Sequence, residues 1–222
     1  DALPSKGRGF AAWQVLSWIW GDDSMGVPGQ KSLSSYAVLD LFLMYLSDRS
    51  YFPDMKTIVV AGFGAGANYV QRYAAFTSAA NAVSGVQLRF VVAGATSYLY
   101  QTSSRPLGGS KGFGLPDTAA CPTVNKYPYG MEQLNPYARR LGVNAAKVGY
   151  GMRQVTYLSS TALRGALDSG CAALAQGKTP WARTENYRLY LHTIYGGNAE
   201  KMHTFEKING DASDPVSMFG SA

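Results

Sequence analysis

The sequence is poor in charged residues and has no long apolar run, and each shortage excludes a class of protein. Charged residues make up only 15% of the 222 residues, whereas hydrophobic residues make up 46%. This balance predicts a sizeable buried core and excludes an intrinsically disordered chain. No apolar run reaches the roughly 18 residues that a membrane-spanning helix needs, so we expect no transmembrane segment.

Acidic residues are fewer than basic ones, 14 against 20, which gives a formal net charge of +6. The basic residues are scattered, and the densest pair is only Arg139 and Arg140. Nucleic-acid binding normally needs a clustered basic face, so we expect no nucleic-acid partner. No cluster of His, Cys, Asp and Glu has the spacing of a metal site, and we expect neither a metal nor another cofactor.

Cysteine is also scarce, and the two residues, Cys121 and Cys171, allow a single disulfide. The bond would close a loop of about 50 residues and stabilise the fold by about 4 kcal/mol in the chain-entropy model. It would favour a secreted protein or an organelle lumen. Burial of two reduced thiols is the alternative, and the sequence leaves both open.

Strand and helix signals alternate along the chain. A Ser cap at Ser34 or Ser35 begins a helix that ends near Asp48, and the β-branched run 57–61 is typical of a strand buried on both faces. The remaining predicted elements are a helix over 67–80, strands over 88–93 and 155–158, a helix through 170–176, a helix closing over 187–191, and a loop or last strand opening at 194–195. This alternation predicts one α/β domain over residues 1–222, with a mostly parallel sheet flanked by helices.

The glycine-rich turn at 62–66 follows the first predicted strand directly. A dinucleotide fingerprint fails, because the third glycine is one residue early and no acidic residue follows about 20 positions on. A phosphate loop fails for want of Gly-Lys-Ser/Thr. The spacing fits the nucleophile elbow Gly-x-Ser-x-Gly, with Gly64 where the serine would stand. Glycine has no atom that can attack a carbonyl, so no covalent acyl intermediate can form at Gly64.

Residues 61–74 read Ala-Gly-Phe-Gly-Ala-Gly-Ala-Asn-Tyr-Val-Gln-Arg-Tyr-Ala. This stretch resembles the secreted, fungal and bacterial α/β-hydrolase-like proteins whose elbow reads Gly-His-Ser-Ala-Gly and continues into a Gln-Arg-Tyr-Ala segment. Similar segments at 97–100, 129–135 and 171–176 extend the resemblance from about residue 34 to residue 202.

The resemblance implies a catalytic triad whose positions are all blank here. The family's serine falls on Gly64 and the preceding histidine on Phe63, and these two residues with Ala65 would form the binding cleft. The family's acid falls on Leu163 and its catalytic histidine on Gly197. Three losses together indicate evolutionary decay rather than one engineered substitution.

A relocated pair, His203 with Asp168, is the alternative source of chemistry. Without a nucleophile this pair could only activate water. The competing interpretation is that both histidines of the chain, His192 and His203, are surface or satisfied polar residues.

An aromatic segment near the start of the chain contains Trp13, Trp18 and Trp20, with Phe10 nearby. It could hold a small apolar ligand. Core packing or a subunit contact is the alternative that we favour.

Only 56 residues precede Thr57, and they contain at most one plausible strand, around 13–20. In the α/β-hydrolase fold several strands precede the elbow strand, and one of their loops supplies an oxyanion-hole donor. We therefore expect a domain that is incomplete at its N-terminus, with the elbow strand left at an edge. We expect another protein chain, or a cleaved N-terminal part of the precursor, to complete the sheet.

Two functions follow from these observations. The first is a pseudoenzyme, an inactive α/β-hydrolase-like scaffold that serves as a structural or interaction subunit of a larger assembly. The second is a serine hydrolase acting on carboxylic esters, of the esterase or lipase type, that is inactivated or incomplete in this chain.

Overall fold

The computed structural model describes residues 11–26, 31–83, 85–108, 112–162, 168–209 and 214–220. Within these ranges the strands are β1 (Thr57–Phe63), β2 (Gln87–Ala93), β3 (Arg105–Pro106), β4 (Phe113–Gly114), β5 (Gln154–Ser159) and β6 (His203–Lys207). The helices are α1 (Ser35–Ser47), α2 (Ala65–Phe76), α3 (Ala79–Ala82), α4 (Pro136–Leu141), α5 (Val143–Gly151), α6 (Cys171–Leu174), α7 (Pro180–Tyr195), α8 (Gly197–Met202) and α9 (Pro215–Gly220). In these ranges, no helix combines the length and the apolar character that crossing a membrane requires.

The main sheet has the order β1-β2-β5-β6, and every neighbouring pair is parallel. β3 and β4 form a separate antiparallel pair. Phe63 aligns with Ala93, and Ala93 aligns with Leu158, so the strands finish level with one another. The turns that follow the strands therefore gather at one end of the sheet, which we name the carboxyl end. We name the opposite end, where the strands begin, the amino end.

Helices cover both faces of this sheet, as the sequence predicts. Along β2, Phe90 and Val92 point into the larger core under α2 and α7, whereas Ala93 points into a smaller core. That smaller core includes Met218 of α9. The parallel sheet flanked by helices confirms the predicted fold class.

Most predicted elements are present, and the structure differs from the prediction mainly in the residues at which they begin and end. Ser34 caps α1 as predicted, because its hydroxyl accepts a hydrogen bond from the Tyr36 N–H at 3.1 Å. The helix predicted over 67–80 is in fact two helices, α2 and α3. Thr77 breaks it with an extended backbone, and its hydroxyl accepts from the Ala79 N–H.

Two predictions about secondary structure are wrong. Residues 13–20 form no strand but a turn and the 3-10 helix Ser17–Trp20. Residues 194–195 open neither a loop nor a strand, because α7 continues through them. The last strand, β6, begins eight residues later at His203.

Cys121 and Cys171 form a disulfide, which resolves the alternative that the sequence leaves open. The bond ties the loop after β4 to the start of α6 across a sequence separation of 50 residues. Val124 and Ala172 pack beside it in a small separate core. The disulfide therefore cross-links these two segments beside that small core.

Candidate functional site

The turn between β1 and α2 has the backbone shape of a nucleophile elbow. Gly64 adopts φ 56° and ψ −112°, in the left-handed region that favours glycine, and its N–H donates to the Ala93 carbonyl at 3.0 Å. A Cβ atom added to Gly64 would meet nothing within 4 Å. The apex of the turn is therefore exposed to open space, in the place where a nucleophile would project.

The flanking glycine Gly62 allows the strand and the helix to approach closely. A Cβ atom on Gly62 would lie 2.2 Å from the Gly66 carbonyl oxygen. Only glycine fits at such an approach, so Gly62 has the packing role that the sequence assigns to the flanking glycines, whereas a Cβ atom on Gly66 would meet nothing within 4 Å.

A cavity of about 350 Å³ lies beside the elbow at the carboxyl end. Its lining residues are Leu16, Ile19, Trp20, Ala65, Asn68, Thr96, Tyr129 and Asp168. Leu16, Ile19 and Trp20 give it one apolar wall, and the opposite wall is polar. Of the three predicted cleft residues, Ala65 lines this cavity. Phe63 instead packs against the smaller core under α9.

The polar wall holds one carboxylate, that of Asp168. The Tyr129 hydroxyl donates to both carboxylate oxygens, at 3.0 and 3.1 Å. Burial, and then the negative charge of Asp168, raise the pKa of Tyr129 to about 12, so this tyrosine stays a hydrogen-bond donor. Asn68 donates to the Thr96 hydroxyl at 2.8 Å and accepts from the Thr96 N–H.

Gln71 and Arg72, in the segment that resembles the family, hold the loops around the cavity in place. Arg72 is fully buried and donates to the carbonyls of Ser97, at 2.6 Å, and Pro128, at 3.2 Å. Its guanidinium carbon lies 5.2 Å from the centre of the Trp20 ring. Gln71 accepts from the Leu99 N–H at 3.0 Å. These contacts fix the segments that carry the cavity walls.

Neither histidine of the chain lies at the elbow. His203 begins β6 and aligns with Val155, so it lies at the amino end of the sheet. Its Nδ1 is 3.2 Å from the Tyr157 hydroxyl, and its Nε2 is 3.1 Å from the Tyr150 carbonyl oxygen. Burial lowers its pKa to about 4, which keeps the ring neutral at pH 7.

The other histidine, His192, is exposed on α7, with its Nδ1 3.3 Å from a Glu200 carboxylate oxygen. The structure therefore does not bring His203 and Asp168 together, and the predicted relocated pair is not formed.

The alignment of the family's catalytic histidine with Gly197 also needs correction. Gly197 begins α8, directly before β6. Segments that precede a parallel strand lie at its amino end, so a histidine at position 197 would face away from Gly64. The segment that follows β6 is the one that reaches the carboxyl end. Leu163, aligned with the family's acid, lies outside the described residues.

Sequence reasoning missed three of the polar residues at the cavity. Thr96 follows β2 by three residues, so the rule that turns after parallel strands meet at one end could have located it. Asn68 is on the first turn of α2 and was accessible to the same argument. Tyr129 lies in the long loop between β4 and α4, and the resemblance at 129–135 includes it without indicating a role at the cavity.

No protein-family model matches this chain, and no curated protein matches it. Among solved structures, a poly(aspartic acid) hydrolase from Sphingomonas sp. KT-1 aligns over 86% of this chain and 62% of its own, with a TM-score of 0.55 and 19% identity. A poly(3-hydroxybutyrate) depolymerase from Bordetella parapertussis aligns over 89% of this chain and 58% of its own, with a TM-score of 0.57 and 16% identity. Both are α/β-hydrolases, so this chain has the α/β-hydrolase fold. It spans about 60% of the length of these two structures.

Proposed function

We propose that this protein is a catalytically inactive α/β-hydrolase-like protein, a pseudoenzyme, and that it acts as a structural or interaction subunit of a larger assembly. The observation that carries this proposal is the elbow itself. Gly64 has the backbone conformation and the open space of a nucleophile position, yet it supplies no nucleophilic atom.

The missing base supports the same conclusion. Acyl transfer by a serine hydrolase needs a histidine within hydrogen-bond reach of the nucleophile, at roughly 3 Å. The chain has two histidines, and neither contacts the cavity. His203 contacts residues of α5 and β5, and His192 contacts Glu200 of α8. Both cysteines are held in the disulfide, so no thiol is available as a substitute.

The cavity can still hold a ligand without turning it over. Its apolar wall, from Leu16 to Trp20, suits a small apolar group, and Asp168 can accept a hydrogen bond from a hydroxyl or ammonium donor. The two similar structures are named for hydrolysing poly(aspartic acid) and poly(3-hydroxybutyrate). A short segment of such a polymer is therefore a reasonable ligand class to screen first.

The partner in the assembly is another polypeptide that adds strands beside β1. Lys56 and Gly64 bond to β2, so the alternate residues Thr57, Val59 and Ala61 direct their backbone groups away from the sheet. β1 contains no charged residue, and Val59 is 54% exposed. Soluble proteins usually protect an uncharged strand edge with charges or a covering segment.

The alternative is a serine hydrolase acting on carboxylic esters. Two observations favour it: the similar structures are hydrolases, and Asp168 lies in the cavity beside the elbow. It needs a serine nucleophile and a histidine base, and the residues lining the described cavity include neither a serine nor a histidine.

Turnover of a chromogenic short-chain ester separates the two functions. We expect no turnover by the wild type or by Gly64→Ser, because a serine at the apex still has no histidine beside it. An active serine hydrolase of the same fold is the positive control. Wild-type turnover above that of buffer would overturn the pseudoenzyme proposal and support the alternative.

The mass of the native particle tests the assembly. Material purified from its source is expected to contain a companion polypeptide in fixed stoichiometry, measured by native mass spectrometry. A monomer without a companion chain would contradict the assembly role while leaving catalytic inactivity untouched.

A further inference from the structure

Helix α1 is apolar on the side that faces solvent as well as on the side that faces the core. Tyr36 and Leu43 are buried on one side. The opposite side exposes Leu41, Phe42 and Tyr45, which are 55%, 59% and 53% accessible. A helix on a soluble surface normally carries polar residues there, and a helix that is hydrophobic all round is normally buried. The exposed side of α1 therefore has the character of a contact surface.

A groove of about 360 Å³ adjoins this surface, between α1 and α4. Asp40, Leu41 and Met44 line one wall, with the three- and four-residue spacing of a single helix face. Tyr137 and Arg140 line the other wall with the same spacing. A groove between two helix faces is a common binding site for a third helix. The 13 residues of α1 span about 20 Å, enough for three to four turns of that helix.

The exposed charged side chains of α4 beside the groove are basic. Arg139 and Arg140 occupy the last turn of α4, both exposed, and within the described ranges neither has a carboxylate at salt-bridge distance. The guanidinium of Arg140 lies over the Tyr137 ring, 4.8 Å from its centre. Asp40 also lines the groove and brings one formal negative charge, but its two oxygens are turned toward the hydroxyls of Tyr73, Thr77 and Tyr137, whereas both arginines are exposed. The three side chains together therefore carry a formal net charge of +1.

We propose that this groove docks an amphipathic helix of a partner polypeptide, with apolar residues on Leu41 and Met44 and acidic residues paired with Arg140. The proposal rests on the interaction role argued above and names a second surface for it, separate from the edge of β1. The net charge of +6 favours the same partner, since it attracts an acidic segment from solution.

The test uses two labelled model peptides and the full chain. Each peptide is a helix with leucines at i, i+3, i+4 and i+7, flanked by glutamates in one and by lysines in the other. We expect saturable binding of the glutamate peptide in fluorescence anisotropy, about tenfold tighter than that of the lysine peptide and weakened by salt. Equal affinities, or no binding of the glutamate peptide, would overturn the proposal.

Three variants at exposed positions locate the site. Arg140→Glu should reverse the preference between the peptides, and Leu41→Lys should abolish binding of both. Leu189→Lys on α7, also at an exposed leucine, is the matched control and should bind as the wild type does. If the variants affect binding no more than the control does, the groove is not the site. A homodimer that Leu41→Lys dissociates, measured by light scattering, would assign the groove to a second copy and also overturn the proposal.

The ester assay keeps the two proposals apart. Loss of peptide binding with no ester turnover would remove only the helix-docking inference. Ester turnover with normal peptide binding would remove only the pseudoenzyme proposal.

Discussion

The two ends of the sheet hold different parts of what a serine hydrolase combines at one place. The carboxyl end has the elbow, the cavity and the carboxylate of Asp168. The amino end has His203, four residues of β6 away from the carboxyl end, which is about 13 Å along the strand. Catalytic groups act only when they converge within hydrogen-bond distance. Among the described residues, the elbow and the carboxylate of Asp168 therefore lie at one end of the sheet, and His203 lies at the other.

The environments of the two ends explain what their polar residues do. At the amino end, His203 is enclosed by the rings of Tyr150, Tyr157 and Tyr195, and both its nitrogens have partners. At the carboxyl end, Asp168 faces a cavity, and within the described ranges its carboxylate accepts from the side chain of Tyr129. The histidine therefore contributes to packing, whereas the aspartate remains available to a ligand.

Gly62→Ala should have the largest effect, because it blocks the approach of β1 and α2 at the carboxyl end. Its Cβ would overlap backbone atoms of Gly66, which cannot move away as a flexible side chain can. We expect a loss of about 5 kcal/mol in the free energy of unfolding, or no folded protein. Urea denaturation measures it, and a stability within about 1 kcal/mol of the wild type would refute the close approach.

Removal of the disulfide should follow in magnitude and should also act on the carboxyl end. The double variant Cys121→Ala/Cys171→Ala is expected to lose about 4 kcal/mol of unfolding free energy, because the unfolded chain regains the entropy of a long loop. The wild type with reductant serves as the matched control and should lose a similar amount. Equal stability with and without reductant would show that the bond is absent in solution.

Acid should weaken the amino end through His203. Its pKa is about 4 when folded and about 6.5 when unfolded, so the unfolded state binds the proton first as the pH falls. The stabilisation is complete above pH 6.5 and is lost between pH 6.5 and pH 4, about 3 kcal/mol in all. His203→Gln should remove this part of the pH dependence of urea unfolding. The exposed control His192→Gln should keep it, and identical pH profiles for the two variants would contradict the buried, neutral histidine.

Gly64→Ala should have the smallest effect, although it changes the apex of the elbow. The added Cβ has open space, so the cost is only that of a left-handed backbone, about 1–2 kcal/mol of unfolding free energy. A change as large as that of Gly62→Ala would show that the apex is packed rather than open.

Elements with a strong periodic or capping signal could be predicted from the sequence. The β-branched run at 57–61 and the cap at Ser34 both correspond to the observed β1 and α1. β6 was missed because its five residues, His-Thr-Phe-Glu-Lys, alternate too weakly to distinguish an edge strand from a helix end. The segment 13–20 is apolar and aromatic, and such short runs do not separate a strand from a turn that packs on α2.

The elbow itself was predictable, since glycine spacing after a strand specifies a backbone shape. The partners of the elbow were not, because they come together only through topology. Asp168 lies beside Ala65, whereas Gly197 is at the other end of the sheet, and no local pattern distinguishes the two cases. The strand order has to be known before a sequence motif can be assigned to the carboxyl end or the amino end of the sheet.

Intact-protein mass spectrometry after incubation with a fluorophosphonate tests the central claim most directly, since that reagent reacts with an activated serine whatever the substrate. Without a nucleophile at position 64, and with both histidines elsewhere, we expect the mass of the wild type to stay unchanged while an active serine hydrolase in the same tube is labelled to completion. A stoichiometric adduct on a hydroxyl of this chain would contradict the account.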